Sequence, residues 1–218
     1  PGDDFLAHLG VDWEAAAAPA TEQDWFWKGT GVASAEGTGI GDEGQSDKQH
    51  LDEIRGWLMD AGYTEVDQIY DPGASASQVS VAVNAGRGVI NYTGHGRPQG
   101  WSTTGFDNND ENGLVNSNLL PFIVTVACNN GEIESYTTCF AEAWMRNDQG
   151  GAVSFEGGTT TESWVPPCNA QRGIVDALRL ETAFTTGGQH MAGKHTVMDI
   201  DGDSDGSEGN KWVEQSTL

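Results

Sequence analysis

The chain is poor in basic residues. It has 10 lysines and arginines against 33 aspartates and glutamates, which gives a formal net charge of −23. Nucleic acids and anionic membranes are bound largely through positive charge, so this balance argues against both as partners. It favours cationic substrates and bound cations, although an acidic surface that only keeps the protein soluble explains it at least as well.

Cysteine is also scarce, and long apolar runs are absent. The three cysteines are an odd number, so at least one thiol stays free and no disulfide framework is expected. No run of 18 apolar residues is present to cross a membrane, and the first residues lack the basic-then-apolar pattern of a secretion leader. Eight tryptophans and a hydrophobic content of 37% are nevertheless enough for a sizeable core.

Short apolar segments alternate with amphipathic ones along most of the chain. This alternation is typical of parallel βαβ units and predicts an α/β fold, an open three-layer sandwich with helices on both faces of a mainly parallel sheet. We expect residues 1–27 to be an irregular lead-in and the chain from about 186 to be an acidic tail rich in glycine and aspartate. Strands are predicted at 28–35, 65–70 and 151–156 and in the segments that begin at Gly88 and Pro121, and helices at 48–61, 76–85, 136–147 and 169–184.

Two of these predicted strands end in glycine and carry one reactive side chain at the tip. His95 follows the strand that begins at Gly88, and Cys128 follows the strand that begins at Pro121. Ligands of α/β sheets bind at the carboxyl ends of the strands, where a thiol and an imidazole form a nucleophile with its general base. A single cysteine or histidine is more often a packed or surface group without a catalytic role. The interpretation therefore depends on the fact that both residues follow a predicted strand that ends in glycine.

These segments resemble the catalytic core of a known family. The sequences Tyr92-Thr-Gly-His95-Gly96, Ala127-Cys128-Asn-Asn-Gly131 and Cys139-Phe-Ala-Glu-Ala are similar to those of gingipain-type cysteine peptidases, peptidase family C25, and most of all to the arginine-specific members. The resemblance covers most of residues 30–185. It implies a caspase-like fold for residues 28–218. It also implies that an amino-terminal part of the family's catalytic region is missing, and the chain, which opens at Pro1, is expected to be a processed piece.

The resemblance implies a role for each residue of the reactive centre. Cys128 is the nucleophile that forms an acyl-thioester, and His95 is its general base and acid. Glu36 holds His95 in the required tautomer, although from the residues alone it reads as a turn carboxylate. The backbone N–H groups of Gly96 and Cys128 form the oxyanion hole. Gly96 and Gly131 lack a Cβ, so we expect substrate and backbone to approach them closely.

Substrate choice is expected to depend on a pocket for a basic side chain. By resemblance, Asp47 receives an arginine guanidinium, although Ser46 and Asp47 also suit the start of the helix predicted at 48. Trp164 matches the aromatic residue that lines the pocket, with ordinary packing as the alternative. Glu162, before Ser163, stands where arginine-specific relatives usually have an amide. It is expected either to strengthen cation binding or to admit lysine.

The tail offers a candidate calcium site. Asp201, Asp203 and Asp205 alternate as in calcium-binding loops, but Trp212 stands where an EF-hand has its bidentate acid, so a solvated acidic loop is an equal alternative. Zinc is disfavoured by the spacing of the His and Cys residues. No cofactor is expected in catalysis.

The sequence therefore predicts a secreted or cell-surface cysteine endopeptidase that cuts proteins or peptides after arginine, and after lysine as well if Glu162 admits it. A relative that processes the sorting signals of exported proteins would use the same two reactive residues. An alternative of another class is a calcium-binding, caspase-like recognition module without turnover, against which the presence of Cys128, His95 and Glu36 argues.

Overall fold

A six-stranded sheet forms the centre of the structure. The structure is a computed structural model and describes residues 24–36, 44–134, 137–202 and 206–217. The strand order of the sheet is β2-β1-β3-β6-β7-β8, and all neighbours are parallel except β8, which runs antiparallel to β7 at one edge. Strands β4 and β5 form a separate antiparallel pair. The strands are β1 (Lys28–Ala33), β2 (Glu65–Tyr70), β3 (Val89–Thr93), β4 (Gly96–Arg97), β5 (Gly100–Trp101), β6 (Phe122–Val126), β7 (Ser154–Gly158) and β8 (Ser216–Thr217).

Helices cover both faces of this sheet. They are α1 (Asp47–Asp60), α2 (Ala76–Asn84), α3 (Asn108–Glu111), α4 (Phe140–Arg146), α5 (Val165–Arg179), α6 (Thr186–Asp201) and α7 (Glu208–Gln215), and a 3-10 turn at Asp24–Trp27 precedes β1. The mainly parallel three-layer α/β/α arrangement predicted from the alternation of elements is thereby confirmed.

Side chains that alternate along the strands divide the core into two parts. One face packs against α1 and α5 through Leu51, Ile54, Leu58 and Val175, and the other against α2 and α4 through Val79, Val83, Phe140 and Trp144. Fully burying such a side chain contributes about 1.5–3 kcal/mol. Both faces of the central strands are therefore covered by helices, and in sheets of this kind ligands bind at the carboxyl ends of the strands.

Helix α1 begins where the sequence suggests. Ser46 is its N-cap residue, and the Ser46 hydroxyl accepts a hydrogen bond from the Gln49 backbone N–H while the Gln49 side chain accepts from the Ser46 N–H. This capping box satisfies two backbone donors of the first turn. It places Asp47 at the first helical position, at the end of the sheet where the strands terminate.

The helices depart from the sequence prediction most clearly in α5, in α4 and in the tail. Helix α5 begins at Val165, four residues before the predicted start, because prolines fit the first turn of a helix, whose N–H groups need no partner within the helix. Helix α4 begins at Phe140 rather than at 136. Helix α6 occupies the tail, where the sequence predicts no helix. Residues 1–23 of the predicted lead-in lie outside the described residues. The domain boundaries predicted at 27 and at about 186 stay predictions.

Strand β7 carries a carboxyl group in the interior. Glu156 is 2% exposed, and its Oε1 lies 3.8 Å from Nδ1 of His190 on α6. Burial raises the pKa of Glu156 to about 8 and lowers the pKa of His190 to about 4. Between these values both side chains are uncharged, so their contact is not an ion pair at neutral pH.

We expect Glu156 to make stability pH-dependent. Its pKa is higher in the folded than in the unfolded state, so its contribution is fully present below about pH 4.5 and is lost as pH rises towards 8, by up to about 1.4 kcal/mol per pH unit. Glu156→Gln should remove this contribution, as measured by urea unfolding between pH 6.5 and 8, above the range in which the lowered pKa of His190 changes stability in the opposite direction. Asp60→Asn, at an exposed position on α1, should keep the slope of the parent protein. Equal slopes for the parent and Glu156→Gln would contradict a buried protonated carboxyl.

Candidate active site

The tips of β3 and β6 bring His95 and Cys128 to the same edge of the sheet. These strands are parallel neighbours in which Thr93 pairs with Val126, and each reactive residue lies two positions beyond its strand end. Both residues line one cleft, together with Glu162, Trp164 and others. The parallel pairing of β3 and β6 therefore holds the base and the thiol side by side, independently of the conformation of the chain that connects the two strands.

Gly96 lies tightly against the backbone of Cys128. A Cβ at position 96 would come within 2.8 Å of the Ala127 Cβ and 3.0 Å of the Cys128 nitrogen, and would overlap the Cys128 carbonyl oxygen. Only glycine allows this approach. Gly131 is also closely approached by backbone, since it donates its N–H to the Gly158 carbonyl and packs against Thr217 of β8, but it is not among the residues that line the cleft.

Glu36 contacts His95 from the neighbouring strand. It follows β1, which pairs with β3, and its Oε1 lies 3.3 Å from Nε2 of His95. The backbone N–H of Glu36 donates to the Ser34 hydroxyl at 3.0 Å, which fixes the chain at this point. With Nε2 directed at the carboxylate, Nδ1 is the imidazole nitrogen left to exchange a proton with the thiol.

The Cys128 thiol is half-buried, whereas Cys139 and Cys168 are buried. Its sulfur accepts a hydrogen bond from the backbone N–H of Glu162 at 3.4 Å. The Glu162 carbonyl oxygen lies 3.9 Å from the same sulfur, within reach of the thiol hydrogen, so the Glu162 peptide group is in contact with the nucleophile through both its N–H and its C=O. Among the three cysteines, Cys128 is the one that a substrate can reach.

Asp47 is a buried carboxyl close to this pair. It is 1% exposed; Ser34 Oγ donates to Oδ2 at 2.5 Å, and the Trp164 indole N–H donates to Oδ1 at 2.9 Å. Burial raises the pKa of Asp47, and the two hydrogen bonds act against that shift. A carboxylate offers about four lone-pair sites, so the two bonds from described residues leave capacity to accept from a ligand.

Trp164 links Asp47 to His95. Its ring meets the His95 ring edge-on, with 5.0 Å between centroids, while its N–H is bonded to Asp47. The free volume of the cleft is about 10 Å³, room for about one water molecule. A long side chain therefore does not fit this cleft unless part of its lining, which includes Trp164, moves.

Glu162 and Ser163 lie between the cleft and the C-terminal helix. The Ser163 hydroxyl is hydrogen-bonded to the Glu208 carboxylate on α7. The Glu162 carboxyl packs over Gly158, where a Cβ would overlap it, and is directed into the interior. Burial raises its pKa well above the usual value, with the charge of Glu156 as a second cause. A carboxyl that is buried and directed into the interior is a poor receptor for a substrate cation, so its expected part in cation binding stays without support from the geometry.

The calcium candidates are only partly within the described residues. Asp201 ends α6, and its Oδ2 accepts a hydrogen bond from the Asn169 amide at 3.0 Å, whereas Asp203 and Asp205 lie outside the described residues. In the part of the chain that the structure describes, no group of three or more His, Cys, Asp or Glu side chains is arranged to hold a metal ion.

Two further residues organise the site without a signal in the sequence. Ser34 bonds both Asp47 and the Glu36 backbone. Gln171, buried on α5, donates to the Tyr92 and Val124 carbonyls of the two reactive strands, and its Oε1 bonds Thr93 and His50. Because such a residue makes its contacts across the fold, only its amphipathic helix, and not its role, can be read from the sequence.

Replacing Glu36 is expected to have a moderate effect. The side chains of His95 and Glu36 are 58% and 41% exposed, so water screens their attraction. Glu36→Gln should therefore reduce kcat/KM on an arginyl peptide by no more than about fivefold. Glu65→Gln is the matched control, since Glu65 is similarly exposed and paired with Lys28. A fall of about 10⁴, as for a buried triad carboxylate, would contradict this interpretation.

Comparisons with known proteins give consistent matches. The model of peptidase family C25 matches residues 13–218. Gingipain R2 and gingipain R1 of Porphyromonas gingivalis are each 40% identical to this chain over 155 residues, or 69% of it. The crystal structure of the Arg-specific cysteine proteinase gingipain R superposes with a TM-score of 0.83 and 35% identity over 89% of this chain. The complex of the Porphyromonas gingivalis RgpB pro- and mature domains gives 0.82 and 33%, also over 89% of this chain.

The matched proteins are longer than this chain. The chain spans 21% of that gingipain R2, 16% of that gingipain R1, and 46% and 47% of the two solved chains. These superpositions confirm the fold expected from the sequence.

Proposed function

Because this chain belongs to peptidase family C25, we propose that it is the nucleophile-bearing part of a cysteine endopeptidase that cleaves peptide bonds after arginine. The observation that carries the proposal is the register of β3 and β6, which sets His95 and Cys128 at one strand edge beside Glu36. The relatives named above include an Arg-specific cysteine proteinase.

In the proposed reaction, the Cys128 sulfur attacks the carbonyl carbon of the scissile bond as His95 takes up the thiol proton. His95 then gives this proton to the leaving amine as the C–N bond breaks, and a thioester remains on Cys128. Water, deprotonated by His95, hydrolyses the thioester and restores the thiol. The backbone N–H groups of Gly96 and Cys128 are the proposed donors to the oxyanion, and their close approach supports this role.

Arginine preference is attributed to Asp47. Its carboxyl is buried, and each oxygen keeps acceptor capacity beyond the bonds from Ser34 and Trp164. A guanidinium matches a carboxylate with two parallel hydrogen bonds, whereas the lysine ammonium acts as a point charge. Trp164 would then cover the aliphatic part of the arginine side chain after it moves away from Asp47.

The proposal is tested with peptide reporters that are identical except for Arg, Lys or Ala before the scissile bond, under reducing conditions with calcium. We expect turnover of the Arg reporter at least about tenfold faster than of the Lys reporter, which is what about 1.4 kcal/mol of bidentate preference gives. The Ala reporter should be the slowest. No turnover on any reporter by a folded chain would contradict endopeptidase activity of this chain.

The proposed substrates are proteins and peptides with a basic residue before the cleavage site, and the proposed location is outside the cell or on its surface. The acidity of the chain supports basic substrates, and the exported gingipain-type family supports the location. Among the described residues, no helix has the length and apolar character needed to cross a bilayer.

Calcium is retained in the proposal as a structural ion of the segment that contains Asp201, with no part in catalysis. Its oxygen-rich sequence supports the idea. A bound ion should raise the melting temperature in millimolar calcium relative to chelator by a few degrees. Equal melting temperatures in the two conditions would remove calcium from the proposal.

A further inference from the structure

The loop 159–164, which leads from β7 to Trp164, is attached directly to the nucleophile. The backbone N–H of Glu162 donates to the Cys128 sulfur at 3.4 Å, and the Asn129 N–H donates to the Thr160 carbonyl at 3.0 Å. The position of this loop therefore sets the distance from the sulfur to the Glu162 N–H, which favours the thiolate, and to the Glu162 carbonyl oxygen, which accepts only from the thiol and lies farther away, at 3.9 Å.

The same loop is held from the opposite side by the C-terminal residues. The N–H and the hydroxyl of Thr159 donate to the Gln215 carbonyl at 2.9 Å and 2.6 Å, and Ser163 is bonded to Glu208. Strand β8 pairs with β7 where Gly158 faces Ser216. Helix α7 and strand β8 thus brace the loop that touches Cys128.

The Glu162 side chain points towards this brace. Its two oxygens are buried and, within the described residues, have no partner at hydrogen-bond geometry, but Glu162 and Trp212 line the same small cavity beside α7. Trp212 is 3% exposed and packs with Ala170 and Val197. The fixed Trp212 side chain is therefore part of the wall that limits where the Glu162 side chain can lie.

We propose that Glu162 and Trp212 are positioning residues, whose side chains hold the backbone N–H of Glu162 against the Cys128 sulfur and so favour the thiolate. The inference extends the proposed function, because it takes Cys128 as the nucleophile. It gives Glu162 a role through its backbone and not through a charge in the substrate pocket.

The test is the rate at which iodoacetamide alkylates Cys128 at pH 7, followed by mass spectrometry of the peptide that contains it. Glu162→Ala and Trp212→Phe should each slow the alkylation by about three- to tenfold, as expected when one hydrogen bond to a charged sulfur weakens. Glu162→Gln keeps an uncharged polar group of the same shape and should lose less than Glu162→Ala. Trp57→Phe, a half-buried tryptophan stacked on Arg179, is the matched control at the parent rate.

The buried thiols distinguish positioning from loosening of the fold. If Trp212→Phe only opens the structure, Cys139 and Cys168 should alkylate faster together with Cys128, and the inference is overturned. A parent rate at Cys128 in both Glu162→Ala and Trp212→Phe also overturns it. Slower alkylation of Cys128 alone supports it even if no peptide reporter is cleaved, so its failure and the failure of the proposed peptidase activity give different results.

Discussion

Cys128→Ala is expected to reduce kcat/KM on an arginyl peptide by more than about 10⁴-fold, because the covalent route is lost with the sulfur. The fold should persist, since Cys128 is half-buried at a strand tip and not part of either core cluster. Steady-state hydrolysis of the Arg reporter measures the effect, with a thermal unfolding scan to show that the variant is folded.

Cys139→Ala is the control for loss of a thiol. Cys139 is buried at the start of α4 and does not line the cleft among the described residues, so its removal should leave kcat/KM within about threefold of the parent. Hydrolysis by Cys128→Ala within about tenfold of the parent would show that another group carries the reaction.

Asp47→Asn should reduce kcat/KM on the Arg reporter by about 10²–10³, the loss expected when one partner of a buried charge pair is neutralised. The substitution is compatible with the fold. The introduced amide can accept from the Trp164 indole through its carbonyl oxygen and donate to the Ser34 hydroxyl through its NH₂ group, so the two neighbours keep their partners.

The effect of Asp47→Asn should be confined to substrate binding. Alkylation of Cys128 is expected to stay at the parent rate, because Asp47 bonds neither the thiol nor its N–H donor. Asp60→Asn, at the exposed end of the same helix, should leave both measurements unchanged. Equal losses on the Arg, Lys and Ala reporters would show that Asp47 supports the architecture and does not read the basic side chain.

Local sequence patterns were sufficient to predict the central strands and the two reactive residues at their ends. The strand at 65–70 has the predicted bounds, and His95 and Cys128 meet because an apolar run that ends in glycine marks a buried strand and its exit. Parallel pairing then follows from the intervening helices.

Helix α6 shows where local patterns fail. Its glycines lower helix propensity and suggest a loop, but Gly193 lies against Ile174 and the Ala170 carbonyl of α5, where a Cβ would be within 2.9 Å of both. Close packing of α5 and α6 outweighs the local preference. The orientation of the Glu162 carboxyl and the contacts of Gln171 could not be predicted from the sequence either, because both depend on residues that are distant along the chain.

The register of β3 with β6 also bears on how such an enzyme can diverge. The two reactive residues are aligned by hydrogen bonds between neighbouring strands, and not by the stretch of chain that joins them. Insertions or deletions in that stretch can therefore reshape the rim of the cleft, and with it the choice of protein substrate, while the chemistry is inherited intact.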